Sequence, residues 1–477
     1  QTHEIVVEAG ATFSGTFSLP ARAGATGWVL VRSSLSGNLA AGTRVTPSDA
    51  GNMPTIQATG SPLEAFTTAS NAIRYRLIGL KIAAGTAAKT FNLCFLTAGT
   101  HQIIDRCYLV ANSSQDCRRG VTGNQGGHLG IIDSYFENFR EVGADSQAVG
   151  IWQNPGPILL RNNFLEGAGE NVLFGGADAN AEANQPQDIT ILRNHVFKRT
   201  AWNGGSFSVK NHLEFKNAKR ILVEGNIFEN TFQMAQFHSQ VYTPRNQSGG
   251  NPWASVEDLT FRYNRIKNFP SLFNMLQTDD AFPSGTLTRV HIHDNFAEGQ
   301  GFYGTSAQIY RTIQSPNDLV IEHNTVVPTV DSVGVAFYWI DGTGHQGERL
   351  TVRSNITPHN AFGILGDADG SGITAMNTFW IDAGQPNGWV YAYNMDYSPK
   401  GGENPGGNNV YPTNQTAVKF VDSANGNYRL ASDSPGYKNG HDSKDRGVDW
   451  DAFNAAQTIS PVLAAPVLGR RYMIMGR

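Results

Sequence analysis

Residues 158–165 read ILLRNNFL, an arrangement of apolar, any, apolar, any, any, Asn, apolar that returns along much of the chain. It recurs as TILRNHVF (190–197), with His195 read at the repeated polar position, and as ILVEGNIF with Asn226. LTFRYNRI carries it at Asn264, VHIHDNFA at Asn295, LVIEHNTV at Asn324 and LTVRSNIT at Asn355. Neighbouring copies lie roughly 30 residues apart, and self-similarity at that period marks a solenoid or an array. Apolar residues alternate within each copy, so the repeated unit is a strand and not a helix. A polar residue at one fixed position after the strand suits a ladder of stacked amides, each bonding the backbone and side chain of the adjacent coils. The pattern therefore predicts an all-β parallel β-helix.

Working outward, 477 residues would suffice for several ordinary domains, but a repeat array grows as one body. An apolar content of 40% supports a long, narrow core, and 52 glycines suit short strands joined by many tight turns. A net charge of −4 gives no reason to expect nucleic acid as a partner. No apolar run is long enough to span a membrane. The chain opens at Gln1 and not at Met, as a processed secreted protein would and, equally, as a trimmed chain would. Cys107 and Cys117 could close a small disulfide, with buried free thiols the equal alternative.

Residues 1–70 read as an N-terminal cap and first coil, covering the strand edge that an open solenoid would expose. Regular coiling is expected over 71–380, with Cys107 and Tyr135 at or near the ladder position in the early copies. The ladder motif is expected to stop near 380, leaving 381–477 as irregular structure and a cap. A further strand follows in several coils, for example QAVGIW (147–152), NVLFGG (171–176) and HLEFKN (212–217).

The coil motif, its stacked asparagines and the cap-like ends resemble the pectate-lyase-like superfamily, whose fold is a single-stranded right-handed parallel β-helix. GADSQAV (143–149), GENVLFGGAD (169–178) and TPRNQ (243–247) are also similar to a group of secreted bacterial β-helix proteins. The superfamily holds polysaccharide lyases, glycoside hydrolases, epimerases, esterases and phage tailspikes, so fold limits the chemistry without choosing it. The resemblance implies a secreted or periplasmic bacterial enzyme, monomeric, with a polysaccharide as its partner.

Candidate site residues follow from strand alternation. With Val172 and Phe174 pointing inward and Leu213 and Phe215 stacked on them, His212, Glu214 and Lys216 face outward. Trp152 falls on the same column, beside Gly175 and Gly176, which suits a sugar ring stacking on an aromatic over bare backbone. Lys210, Lys198, Arg193 and Arg199 make the neighbourhood basic, so an anionic glycan is the natural ligand. β-Elimination needs a base for the proton α to a carboxylate, a group that steadies the enolate and an acid at the leaving oxygen. Glu214 with Lys216 resembles the Glu-and-Lys strand of chondroitinase-B-like and alginate lyases. That resemblance implies Lys216 as base, Glu214 as its orienting partner, Arg193 or Arg245 holding the uronate, and Ca²⁺ as the candidate cofactor. The second Ca²⁺-binding glutamate of those lyases has no clear counterpart here. Trp152, Glu170, Asp178, Lys210, His212, His238, Arg311 and Trp339 are the expected substrate contacts. The rival reading is a glycoside hydrolase using a carboxylate pair, Glu170 with Asp178 or Asp279 with Asp280. A non-catalytic tailspike or adhesin is the third.

Overall fold

A computed structural model describes all residues except 1, 60–63, 87, 125, 306, 331–333, 343–344, 401–404 and 459–477. Among the described residues the fold is all-β: three sheets of parallel strands form a solenoid, and one antiparallel pair, Phe420–Asp422 with Asn427–Leu430, and two short helices, Gly372–Phe379 and Trp450–Gln457, accompany them. Among the described residues two compact units are distinguished: those within 2–222 and 246–254, with 458, form one, and those within 223–245 and 255–457 the other.

In the first unit each coil contributes three short strands. One coil, for example, runs Gly127–Ile132, Tyr135–Phe139 and Gln147–Gln153. Coiling begins earlier than the motif suggests, because His3–Val7 already pairs in register with Val29–Ser33, and Thr12–Ser14 with Thr55–Gln57. Residues 34–54 leave the coil and lie along its first corner. There Val45 N–H donates to Asp133 O at 3.0 Å, and Arg44 Nε donates to Asn162 O at 3.0 Å.

That corner repeats one backbone device. The residue after the first strand takes a left-handed φ, as at Arg106 (+50°), Asp133 (+54°), Asn162 (+54°) and Arg193 (+53°). The next residue turns its side chain inward. Asn163 Oδ1 accepts from Ser134 N–H at 3.0 Å, Asn194 Oδ1 accepts from Asn163 N–H at 2.9 Å, and Ser134 Oγ accepts from Cys107 N–H at 3.0 Å. The ladder residue in RNHVF is thus Asn194 and not His195, which lies on the following strand, and Ser134 holds the place given to Tyr135. Both readings slip by one residue because the flanking positions are also polar or aromatic, so hydropathy alone leaves the register loose. All three cysteines are free and buried, so Cys107 and Cys117 are core thiols and not a bridge.

The second unit carries the same ladder in longer form. Asn226, Asn264, Asn295 and Asn324 donate their backbone N–H to Oδ1 of Asn264, Asn295, Asn324 and Asn355 at 2.9, 2.9, 3.1 and 3.0 Å. The series continues one coil past the point where the motif was expected to end. Asn355 N–H donates to Asn394 Oδ1 at 3.0 Å, between the strands Val390–Ala392 and Met395–Tyr397. The C-terminal residues of this unit pack on its side. Val418 and Leu430 join Ile356, Met395 and Tyr397, while Val448 and Phe453 join Phe296 and Val327.

Asn295 accepts from Asn264 through both its backbone N–H and Nδ2 and donates to Asn324 Oδ1 and Phe261 O. Asn295→Ala strands these buried groups. It is expected to cost about 2–4 kcal/mol, read as a lower urea midpoint with an unchanged slope.

Candidate functional site

The chemistry gathers on the third strands of the first unit, where parallel register stacks residues of successive coils. Val149, Val172 and Leu213 are partners in turn, as are Ile151, Phe174 and Phe215. Phe174 and Phe215 stack at 5.2 Å inside, as strand alternation requires. One position further along, Trp152, Gly175 and Lys216 follow each other across three coils. Gly175 (φ +94°) and Gly176 (φ +90°) leave the floor bare. A Cβ at Gly175 would come within 2.8 Å of Lys216 Cβ, and one at Gly176 would stand 3.6 Å from Trp152 Nε1. Larger residues would fill the space between the tryptophan and the lysine, and a left-handed φ would strain them besides.

Around this floor runs a connected set of charged side chains. Lys216 Nζ lies 3.4 Å from Glu214 Oε1, and Asn211 Nδ2 donates to Glu214 Oε2 at 2.9 Å. Lys210 Nζ donates to Asp145 Oδ2 at 2.6 Å and lies 3.4 Å from Glu170 Oε1. Gln147 links the set to a further cation: its Nε2 donates to Glu170 Oε2 at 2.7 Å, and Arg119 Nε donates to its Oε1 at 2.7 Å. The Arg119 guanidinium lies over the Trp152 ring at 4.8 Å.

Burial sets the electrostatics. Glu170 is fully enclosed, and burial, then the carboxylates of Glu214 and Asp145, raise its pKa against the pull of Lys210 and Lys216. Burial works against the charge on Lys210, but Glu170 and Asp145 outweigh it and its pKa is raised. Burial, with Arg118 adding to it, lowers Arg119 to about 10, so it remains a cation at neutral pH.

The remaining expected residues sort by position. Glu214, Lys216, Lys210, Glu170 and Trp152 come together on the first unit's face. His212 shares their strand region but is fully buried, not outward. Asp178 accepts from the backbone N–H of Gln247, Ser248 and Gly250 at 2.7, 2.9 and 3.3 Å, which anchors that loop. Arg193 stands in the left-handed corner before Asn194, away from the third strands, with its carbonyl accepting from Arg44 at 3.1 Å. Lys198, counted in the basic patch, is buried: its Nζ donates to the carbonyls of Gly167, Ala168 and Gly169 at 2.9, 3.0 and 2.6 Å. Burial draws its pKa well down, opposed by Glu170.

Four residues belong to the second unit. Arg245 pairs with Asp279 at 2.7 Å and with Asp280, so these aspartates hold an arginine. His238 is enclosed beside Gln308 at 3.3 Å, and burial, then Arg311, lowers its pKa to about 3, keeping it neutral. Arg311 pairs in register with Trp339 and is held by Asp341. Arg119, Gln147 and Asn211 were not anticipated, and Asp145 was read as a turn residue. The parallel partnership of Arg119 with Gln147 would have revealed the first two, had the register been known.

No family model matches the chain, and no curated protein does. Among solved structures, a PL6-family alginate lyase is similar at 12% identity and a TM-score of 0.41, over 94% of this chain and 56% of that one. An alginate lyase from Paenibacillus aligns at 16% identity and a TM-score of 0.33, over 76% of this chain and 90% of its own. The Dettilon tailspike protein aligns at 10% and 0.40, over 86% and 61%. The chain thus spans about half the length of the first of these lyases.

A raised acid pKa destabilises the fold once the unfolded carboxyl ionises, so the penalty at Glu170 is absent at low pH and present at neutral pH. Glu170→Gln is therefore expected to raise the urea midpoint near pH 7 and to match the wild type near pH 4.

Proposed function

We propose that this is a secreted, monomeric enzyme that cleaves an acidic, uronate-containing polysaccharide by β-elimination. The observation that carries the reading is the glycine floor between Trp152 and Lys216, with Glu214 at 3.4 Å from that lysine. A sugar ring stacks on the tryptophan and approaches the backbone where Gly175 and Gly176 leave room. Lys216 takes the proton α to the uronate carboxylate, and Glu214 orients it. Arg119, already over Trp152, supplies the cation for the carboxylate on this face, the role first given to Arg193 or Arg245. Glu170 is fully enclosed and does not reach the sugar; Lys216 passes the proton it has taken to the leaving oxygen, so the one lysine serves as base and then acid.

Ca²⁺ does not fit this donor set. All three carboxylates already face lysine ammoniums, Glu170 and Glu214 at 3.4 Å and Asp145 at 2.6 Å, and their remaining oxygens accept from Gln147, Asn211 and Ser208. A hard dication prefers six to eight oxygen ligands, so no step is assigned to it.

Hydrolysis is the second reading, favoured by one observation: Glu170 and Glu214 are both buried and interact, and Glu170 is raised as a general acid would be. The products separate the two. Acidic glycans incubated with the protein are expected to yield unsaturated uronides that absorb in the near ultraviolet. Reducing ends without that absorbance would establish hydrolysis, and neither product would leave a binding module. Lys216→Ala is expected to abolish the absorbance while leaving the thermal midpoint nearly unchanged, because the side chain lies at the rim of the face. An unchanged rate would remove Lys216 from the chemistry.

A further inference from the structure

In the second unit, the corner before Asn324 carries His323 in the left-handed φ (+52°) that every ladder corner requires. Its ring is almost fully buried, and Nδ1 lies 3.0 Å from the carbonyl oxygen of Gly447. A carbonyl only accepts, so Nδ1 carries a proton, and in the neutral imidazole Nε2 presents its lone pair. Nε2 finds no hydrogen-bond donor, and it faces Asp442 Oδ2 at 3.5 Å. In that neutral form a nitrogen lone pair and a carboxylate oxygen face each other across the corner. His441 completes the group. Its Nδ1 is 2.9 Å from Ser354 Oγ, its ring centroid is 5.3 Å from that of His323, and one ligand atom from each of the three residues lies within 4.8 Å of the others.

We propose that His323, His441 and Asp442 bind a divalent transition-metal cation of the zinc type. A cation between Nε2 and the carboxylate takes the lone pair of each, within the 4.8 Å span of the three ligand atoms. The spacing agrees, since two ligands at about 2.1 Å from a tetrahedral metal stand about 3.4 Å apart. Two imidazoles with one carboxylate suit zinc and its neighbours, whereas Ca²⁺ selects oxygen alone. The hydrogen bond from Nδ1 to a backbone carbonyl is the outer contact that fixes metal-binding histidines in orientation. Asp442 and His441 keep 31% and 20% of their side chains exposed, which leaves the ion an entry path and room for water as a further ligand. The ion would tie the loop that packs on the coil to the coil itself, across 118 residues of chain. Binding to the folded state alone stabilises it by mass action.

The test is titration of the full chain, free of any affinity tag and stripped with chelator, with Zn²⁺ followed calorimetrically. One site is expected, with a rise in thermal midpoint on stoichiometric Zn²⁺ and slower amide exchange over residues 439–447. His441→Ala alters a part-buried side chain and Asp442→Asn a more exposed one; both are expected to weaken binding by at least about 100-fold, since loss of outer contacts alone costs 10–100-fold. Absence of Zn²⁺ binding by the wild type at about 100 μM, an affinity too weak for a built site, would overturn the proposal. Variants that bind as tightly as the wild type would overturn it as well.

Discussion

One constraint underlies each unit: a coil that turns sharply leaves backbone amides inside, where water cannot reach them. The left-handed residue makes the turn, at a cost of roughly 1–2 kcal/mol wherever it is not glycine. The residue after it repays that cost by satisfying the buried groups. Asparagine is suited to this because one side chain both donates and accepts. In the second unit each Oδ1 takes the N–H and the Nδ2 of the preceding coil, so neighbouring coils are joined by side chain and backbone together. In the first unit Ser134 and Cys107 occupy the same place with fewer bonds to give.

With the register held by these corners, the outer face of the third strands becomes a place where residues from separate coils can be collected. Arg119, Trp152, Glu170, Lys210, Glu214 and Lys216 come from four stretches of sequence, and none makes a site alone. The ladder positions them because a shift of one residue in any coil would turn that coil's outward side chains into the core. The bare glycines matter for the same reason, since they keep open the space that the neighbouring coils define.

Charge in this unit is used in two ways that look alike in sequence. Lys198 and Lys216 both lie in basic stretches around residues 193–220, yet Lys198 is a buried support for the turn 167–169, while Lys216 stands at the face. Asp178 and Glu170 both flank NVLFGGA, yet Asp178 ties down the loop at 247–250, while Glu170 is enclosed among lysines and a second carboxylate. Composition and spacing assign such residues equally. Only the path of the loops between strands separates them.

The sequence alone determined the parallel β-helix, the inward stacking of Val172 and Phe174 on Leu213 and Phe215, and the shared column of Trp152 and Lys216. Those features follow from period-2 alternation and a repeated asparagine, which are local properties of a single chain. The ladder place of Asn194 against His195, the further coil at Asn394 and the contacts of Arg119 and Gln147 were decided by tertiary structure. So was the meeting of His323 with His441 and Asp442. Each depends on loops of unequal length bringing distant residues together, and the energy that selects those arrangements, burial of polar groups with their partners, exists only once the coils are stacked.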